Sequence, residues 1–171
     1  YFAADKYYGP PEYLKRFIDE AHKRGMAVIQ DIVLNHTYGQ SPMVRLYADD
    51  LSQSPWYNIK SPNPVYSWGY DLNHERQATQ AFVDRVTAFW LKEYKVDGFR
   101  FDFTKGFTNT PGEGGGRDNA RIAILKRMAD ACHEHGSACM IQLTHLGRRT
   151  VWNGADWLPV VSPSNVREPA H

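Results

Sequence analysis

The chain has 171 residues, which is enough for one domain with a hydrophobic core. Its 20 Lys and Arg nearly balance its 19 Asp and Glu, so the charge pattern excludes a basic nucleic-acid interface. It contains no run of about 18 apolar residues, so we expect no membrane span. Two cysteines, Cys132 and Cys139, are too few for a disulfide framework, and we expect both as free thiols. Because the sequence starts at Tyr1 without a Met, we expect an internal fragment.

The first predicted unit is an amphipathic helix followed by an apolar strand. The helix begins at Pro10 and Pro11, where the missing proline N–H costs little, and Gly25 ends it as a left-handed cap. Residues 26–33 then read as a buried strand. The predicted buried face of the helix follows the i, i+3, i+4, i+7 spacing: Leu14, Phe17, Ile18 and Ala21.

Two later segments repeat this helix–strand order. Residues 80–94 predict a second helix and 96–101 a short strand. A third helix ends at Gly136, before a strand over 138–143. The apolar face of that third helix consists of Ile122, Leu125, Met128 and Ala129. Apolar strands that alternate with helices indicate an α/β fold, with a parallel sheet covered on both faces.

The length of the chain limits how much of a closed sheet it can form. A complete eight-unit (β/α) barrel needs roughly 250 residues. We therefore predict a partial TIM-type (β/α) barrel with parallel strands, incomplete at both ends. The open sheet edges of such a fragment would expose apolar surface, and we expect self-association through them.

A long segment over residues 37–73, rich in Pro, Ser, Tyr and Trp, separates the first two units. Loops of this length inside a compact domain are usually functional. The whole chain is rich in aromatic residues, with 10 Tyr, 8 Phe and 5 Trp. Such rings often line carbohydrate-binding sites, although most of them could equally fill core and loop pockets.

Polar side chains follow two of the predicted strands where a barrel carries its catalytic groups, at the carboxyl ends. Asp31, Asn35 and His36 leave one strand, and Arg100 and Asp102 leave another. Arg100 and Asp102 are two residues apart, so both side chains point to the same face. The fixed charge of arginine lowers the pKa of a neighbouring carboxyl and keeps it ionised, as a nucleophile at an anomeric carbon must be.

Both strand ends resemble the α-amylase family of glycoside hydrolases. Residues 31–36 (DIVLNH) are similar to the first characteristic region of that family, and residues 98–102 (GFRFD) to the second. The sequences that lead to each, over 8–25 and 71–97, agree as well. The resemblance covers residues 1–131 and implies a (β/α) barrel that hydrolyses α-glucosidic bonds with retention.

The resemblance also implies residue roles. Asp102 would be the nucleophile and Arg100 its partner, while His36 would bind the sugar in the cleavage subsite. Asn35 would ligate a structural calcium ion where the family has one. Lys105 matches a position that contacts the next sugar, although Gly106 stands where the family often has a His.

Each role has a plainer alternative. Asp31 is a further substrate-binding candidate, but it could instead cap a loop or hold His36. His36 could be a satisfied core histidine, and Arg100 with Asp102 a simple ion pair. The substrate expected from the carbohydrate interpretation is an α-glucan or oligosaccharide.

The general acid is missing from the sequence. The resemblance places a Glu at the end of the next strand, yet residues 138–145 contain no carboxylate. Retaining hydrolysis needs two carboxyl groups, so the catalytic set is incomplete and we expect no activity from this chain alone.

Residues 132–171 resemble a different family, the flavin-dependent old yellow enzyme and trimethylamine dehydrogenase group of oxidoreductases. The similar segments are 142–149 (QLTHLGRR), 159–164 (PVVSPS) and 167–169 (REP). Gln142 would then match a Gln that hydrogen-bonds the FMN ring. We therefore predict two segments, an amylase-like one over 1–131 and a flavoenzyme-like one over 132–171, packed as one unit. The alternatives are an FMN-dependent oxidoreductase fragment or a chimeric barrel without catalytic activity.

Overall fold

The computed structural model describes residues 1–65, 67–112 and 117–139. Four α-helices and five strands alternate along this part of the chain. The helices are α1 (Pro11–Lys23), α2 (Pro42–Arg45), α3 (Gln77–Phe89) and α4 (Asn119–His133). The strands are β1 (Ile29–Val33), β2 (His36–Thr37), β3 (Tyr70–Asp71), β4 (Gly98–Asp102) and β5 (Ala138–Cys139).

Three of these strands form a parallel sheet in the order β1–β4–β5. The register pairs Asp31 with Arg100 and Val33 with Asp102, so β1 and β4 end side by side. A separate two-stranded antiparallel pair, β2 with β3, joins the start and the end of the long segment and pairs His36 with Asp71. The parallel sheet is confirmed, and its strands do not close into a barrel within the described residues.

The second predicted helix differs from the observed one at both ends. It begins at Gln77 rather than at residue 80, and its last turn, Trp90–Tyr94, is a π-helix. Lys95 then takes a left-handed conformation (φ 58°) that ends the helix. Among the described residues, no helix combines the length and the apolar character that crossing a membrane requires.

The main core lies between one face of the sheet and helices α1, α3 and α4. The helices contribute apolar side chains every three or four residues and the strands contribute them at alternate residues, as the sequence pattern predicts. The buried members are Ile18, Ile32, Leu34, Phe82, Val83, Val86, Trp90, Leu91, Tyr94, Val96, Phe99, Phe107, Ile124, Met128 and Cys132.

The other face of β1 is open, which corrects the prediction that both faces of the sheet are covered. Ile29 and Val33 are 40% and 38% exposed, because the described helices pack against the opposite face. Phe17 and Ile122 are also exposed although both were predicted to be buried. Phe17 lies at the edge of the α1 stripe that Ile18 and its neighbours bury, so it contributes little to the core.

His74, just before α3, is a buried histidine beneath the strand ends. Its Nε2 donates a hydrogen bond to the carbonyl oxygen of Leu34 at 2.7 Å, and its ring stacks on Phe107 at 4.1 Å. Burial lowers the pKa of His74 to about 4, although the hydrogen bond to Leu34 opposes the shift. The imidazole is therefore neutral and shares the core with apolar neighbours.

We predict that acid destabilises this fold through His74. The unfolded chain takes up a proton near pH 6.5, whereas the folded chain resists it until about pH 4. This stability is complete above pH 6.5 and is lost as the pH falls towards 4, by about 3 kcal/mol. Urea denaturation at a series of pH values from 7 to 4 measures this loss in the free energy of unfolding.

The matched comparison for this prediction uses two substitutions. His74→Gln should flatten that part of the pH profile, whereas His133→Gln, on the exposed end of α4, should leave it unchanged. Equal pH profiles for wild type and His74→Gln would show that the buried imidazole does not control acid stability.

Candidate functional site

The register of β1 and β4 places three charged side chains at one end of the sheet. The guanidinium Nη1 of Arg100 donates to both carboxylate oxygens of Asp31 at 3.1 Å. Its Nη2 lies 3.0 Å from Oδ1 of Asp102. The prediction that Arg100 and Asp102 share a face is confirmed, and Asp31 joins them from the neighbouring strand.

This triad is an exposed ionic arrangement rather than a stabilising core element. The side chains of Arg100, Asp31 and Asp102 are 42%, 64% and 25% exposed. The hydrogen bonds that Arg100 donates to Asp31 raise the pKa of Arg100, and the negative charge of Asp102 adds to this increase. Exposed ion pairs contribute little to folding. The cluster therefore serves mainly to hold groups in place. The Arg100 guanidinium keeps the carboxylates of Asp31 and Asp102 together at this end of the sheet, which we call the rim.

His36 lies on the same rim, three residues beyond the end of β1. Asn35, which is fully buried, donates from Nδ2 to Nδ1 of His36 at 3.1 Å in the tautomer that keeps the proton on Nε2. Partial burial lowers the pKa of His36, and the nearby negative charge of Asp102 opposes this. The structure thus brings His36 and Asp102 to one end of the sheet.

Three aromatic rings surround the imidazole of His36. Ring centroids of Tyr38, Trp68 and Phe103 lie 5.3, 5.9 and 6.1 Å from it, and the Trp68 and Phe103 rings are 5.0 Å apart. The sequence pattern did not identify these residues as part of the site. The sequence feature that could have indicated them is the aromatic-rich segment over residues 37–73, in which Trp68-Gly69 stands directly before β3.

A buried carboxylate lies behind this rim, on β3. Asp71 is 4% exposed and pairs across the strands with His36. Its Oδ2 accepts a hydrogen bond from Asn58 at 2.7 Å, whereas its Oδ1 has no partner among the described residues. Burial raises the pKa of Asp71 to about 6. Hydrogen bonds from Asn58 and Ser61 oppose this shift, so within the described part of the chain the desolvated carboxyl group has neutral rather than charged partners.

The other predicted residues fall in different places. Lys105 is exposed in a short 3₁₀ helix, Thr104–Gly106, that directly follows β4 and the rim. Gln142 and the predicted strand end over 142–145 lie outside the described residues. In the described ranges, no cluster of three or more His, Cys, Asp or Glu side chains could hold a metal ion.

The rim therefore combines carboxylates, a guanidinium, a neutral imidazole and exposed aromatic rings at the carboxyl ends of parallel strands. The carboxyl ends of the strands of a (β/α) sheet are where TIM-barrel enzymes carry their active sites.

Comparison with known proteins supports this class. Residues 1–68 match the α-amylase catalytic-domain family. A malto-oligosyltrehalose trehalohydrolase of Saccharolobus solfataricus is 30% identical over 138 residues, 78% of this chain and 21% of the relative. The solved structure of Eubacterium rectale Amy13B superposes with a TM-score of 0.63 at 27% identity, covering 78% of this chain and 30% of that one. These similarities, each over part of the chain, support the resemblance of the amylase-like part to α-amylase catalytic domains and to TIM-barrel structures.

A second relative represents another class. A probable N-methylproline demethylase of Rhizobium meliloti is 64% identical over 50 residues, 29% of this chain and 7% of the relative. This chain thus spans less than a third of each of these proteins, and the two sets of relatives belong to unrelated activities.

Proposed function

We propose that this chain carries the substrate-binding rim of an α-amylase-type retaining glycoside hydrolase and binds α-glucans. The observation that supports this most directly is the position of Arg100. Its guanidinium contacts Asp31 and Asp102 together on the rim, where His36 also lies. A structural ion pair alone would not require an imidazole and three aromatic rings on the same rim. The role proposed for each residue is the one that the resemblance to the α-amylase family implies.

Asp102 is the proposed nucleophile. Its carboxylate would attack the anomeric carbon, and the sugar–oxygen bond to the leaving group would break as a covalent glycosyl ester forms. Arg100 would hold this carboxylate in place, and Asp31 would fix Arg100 from the other side while reaching sugar hydroxyls. His36 would donate from Nε2 to a hydroxyl of the bound ring. Lys105 would contact the next sugar.

This proposed chemistry lacks one component. The leaving oxygen needs a proton from a second carboxylic acid, and residues 138–145 provide none. We therefore propose that the chain binds glucans but does not hydrolyse them.

We predict that the protein binds maltopentaose and releases no reducing sugar from starch. His36→Ala should weaken binding about tenfold or more, because a sugar hydroxyl loses its partner. Isothermal titration calorimetry measures binding, and a reducing-sugar assay measures hydrolysis.

His133→Ala, on exposed α4, is the matched control for this prediction and should bind as the wild type does. Absence of maltopentaose binding to the folded wild type would remove the carbohydrate assignment. Starch hydrolysis that disappears in Asp102→Asn would refute the proposed inactivity and retain the assignment.

We propose a calcium site among the buried oxygen groups behind the rim, which would need further oxygen ligands besides carboxylates. Calcium prefers six to eight oxygen ligands, including carboxylates and amide oxygens. Asp71 offers a desolvated carboxylate oxygen without a partner among the described residues, on the strand next to Asn35. We propose that Asn35 and Asp71 would hold the ion, which would join the long loop to the end of β1 as a structural element.

We predict that calcium stabilises the protein through Asp71. Millimolar CaCl₂ should raise the melting temperature by several degrees over an EDTA-treated sample, since each kcal/mol of binding corresponds to about 2–4 °C at this size. Asp71→Asn should abolish the increase, while Asp19→Asn, exposed on α1, should retain it. A melting temperature that is the same with calcium and with EDTA would contradict the site.

An FMN-dependent oxidoreductase fragment is the second candidate, supported by the 64% identity to the demethylase. This candidate would use Gln142 and the segment over 132–171. It assigns no role to the residues that the first proposal uses at the ends of β1 and β4. A yellow preparation with flavin absorbance and no maltopentaose binding would favour it over the first proposal. We also propose that the exposed apolar residues of β1 and α1 promote self-association.

A further inference from the structure

We propose that Trp68 and Phe103, with Tyr38 beside them, form an aromatic wall on which a glucose ring of the bound glucan stacks. This inference rests on the proposed function, because it assigns a sugar-stacking surface to the same rim. The aromatic wall is defined by these three residues.

The rings of the wall come from separate parts of the chain and meet at one point. Tyr38 lies near the start of the long segment, Trp68 lies just before β3 in that segment, and Phe103 directly follows β4. All three lie within 6.1 Å of the His36 ring, centroid to centroid, yet they are 59%, 43% and 37% exposed. Tyr57 of the same region, in contrast, is fully buried in a core cluster. Exposed rings that converge on a polar group are typical of binding surfaces.

The backbone is specialised at both main members of the wall. Gly69 has φ +58°, and a Cβ there would lie 2.3 Å from the carbonyl oxygen of Thr37. Only glycine permits this approach, which brings Trp68 to the rim. Phe103 itself is left-handed (φ 53°), which is costly for a bulky residue. Strain of this kind persists mainly at functional sites, where it orients a side chain.

The chemistry of a pyranose suits this surface. One face of a glucose ring presents C–H groups that pack on an aromatic ring, while its edge hydroxyls form hydrogen bonds. The wall lies beside the imidazole of His36 and the carboxylate of Asp102, which supply such partners. Gly106, buried in the turn after Phe103, has no side chain to offer a sugar. The rings therefore supply the apolar contact area on this side.

The test measures maltopentaose binding by isothermal titration calorimetry and by tryptophan fluorescence. Trp68→Ala should weaken binding about tenfold, which corresponds to about 1.4 kcal/mol. Phe103→Gly, which keeps the left-handed backbone and removes the ring, should weaken it at least threefold. Trp68→Phe should retain affinity within about threefold but lose the fluorescence change.

Tyr13→Ala, which removes a still more exposed ring on α1, is the control and should bind as the wild type does. Circular dichroism of each variant verifies folding. If wild type binds maltopentaose and both Trp68→Ala and Phe103→Gly bind equally well, the wall is refuted while the glucan assignment stands. If the wild type does not bind, the proposed function fails and this inference fails with it. If Trp68→Ala is unfolded, Phe103→Gly and Trp68→Phe decide.

Discussion

The parallel pairing of β1 with β4, in the register that sets Asp31 opposite Arg100, is the constraint on which the whole site depends. Because side chains alternate between the faces of a strand, this register places Asp31, Arg100 and Asp102 on one face at one end. A shift of one residue would send Arg100 to a different neighbour and separate the two carboxylates that it now bridges. The core underneath maintains the register, since Ile32 and Phe99 are buried on the opposite face.

Much of this arrangement could be predicted from the sequence. The helix–strand alternation predicted the parallel sheet, and the two-residue spacing predicted that Arg100 and Asp102 point together. Periodicity assigned the core correctly at Ile18 and Met128 but not at Phe17 or Ile122. A periodic pattern identifies a helical face, whereas burial also depends on whether another element covers that face.

The parts that could not be predicted depend on contacts between distant segments. Trp68 reaches His36 because of a close backbone approach at Gly69, and local propensity contains no information about that approach. Asp71 becomes a desolvated carboxylate only when β3 pairs with β2. The π-helical turn before Lys95 likewise depends on tertiary packing, since the aromatic and apolar side chains of this turn and the following Val96 are buried in the core.

The two resemblances point to families with different activities, and most of the described residues lie in the amylase-like segment. By sequence, residues 138–145 supply no carboxylate where retaining hydrolysis needs one. We propose that the rim binds sugar but lacks the carboxylic acid that would protonate the leaving group. The open face of β1, with Ile29 and Val33 exposed, is consistent with a sheet that represents only part of a barrel.

Cross-strand nuclear Overhauser effects in the isotopically labelled protein test the register most directly. The account predicts contacts between the backbone protons of Asp31 and Arg100, together with contacts between the ring protons of His36 and Phe103. Ring contacts from His36 to the opposite end of β4, near Gly98, or a register displaced from the Asp31–Arg100 pair, would contradict it.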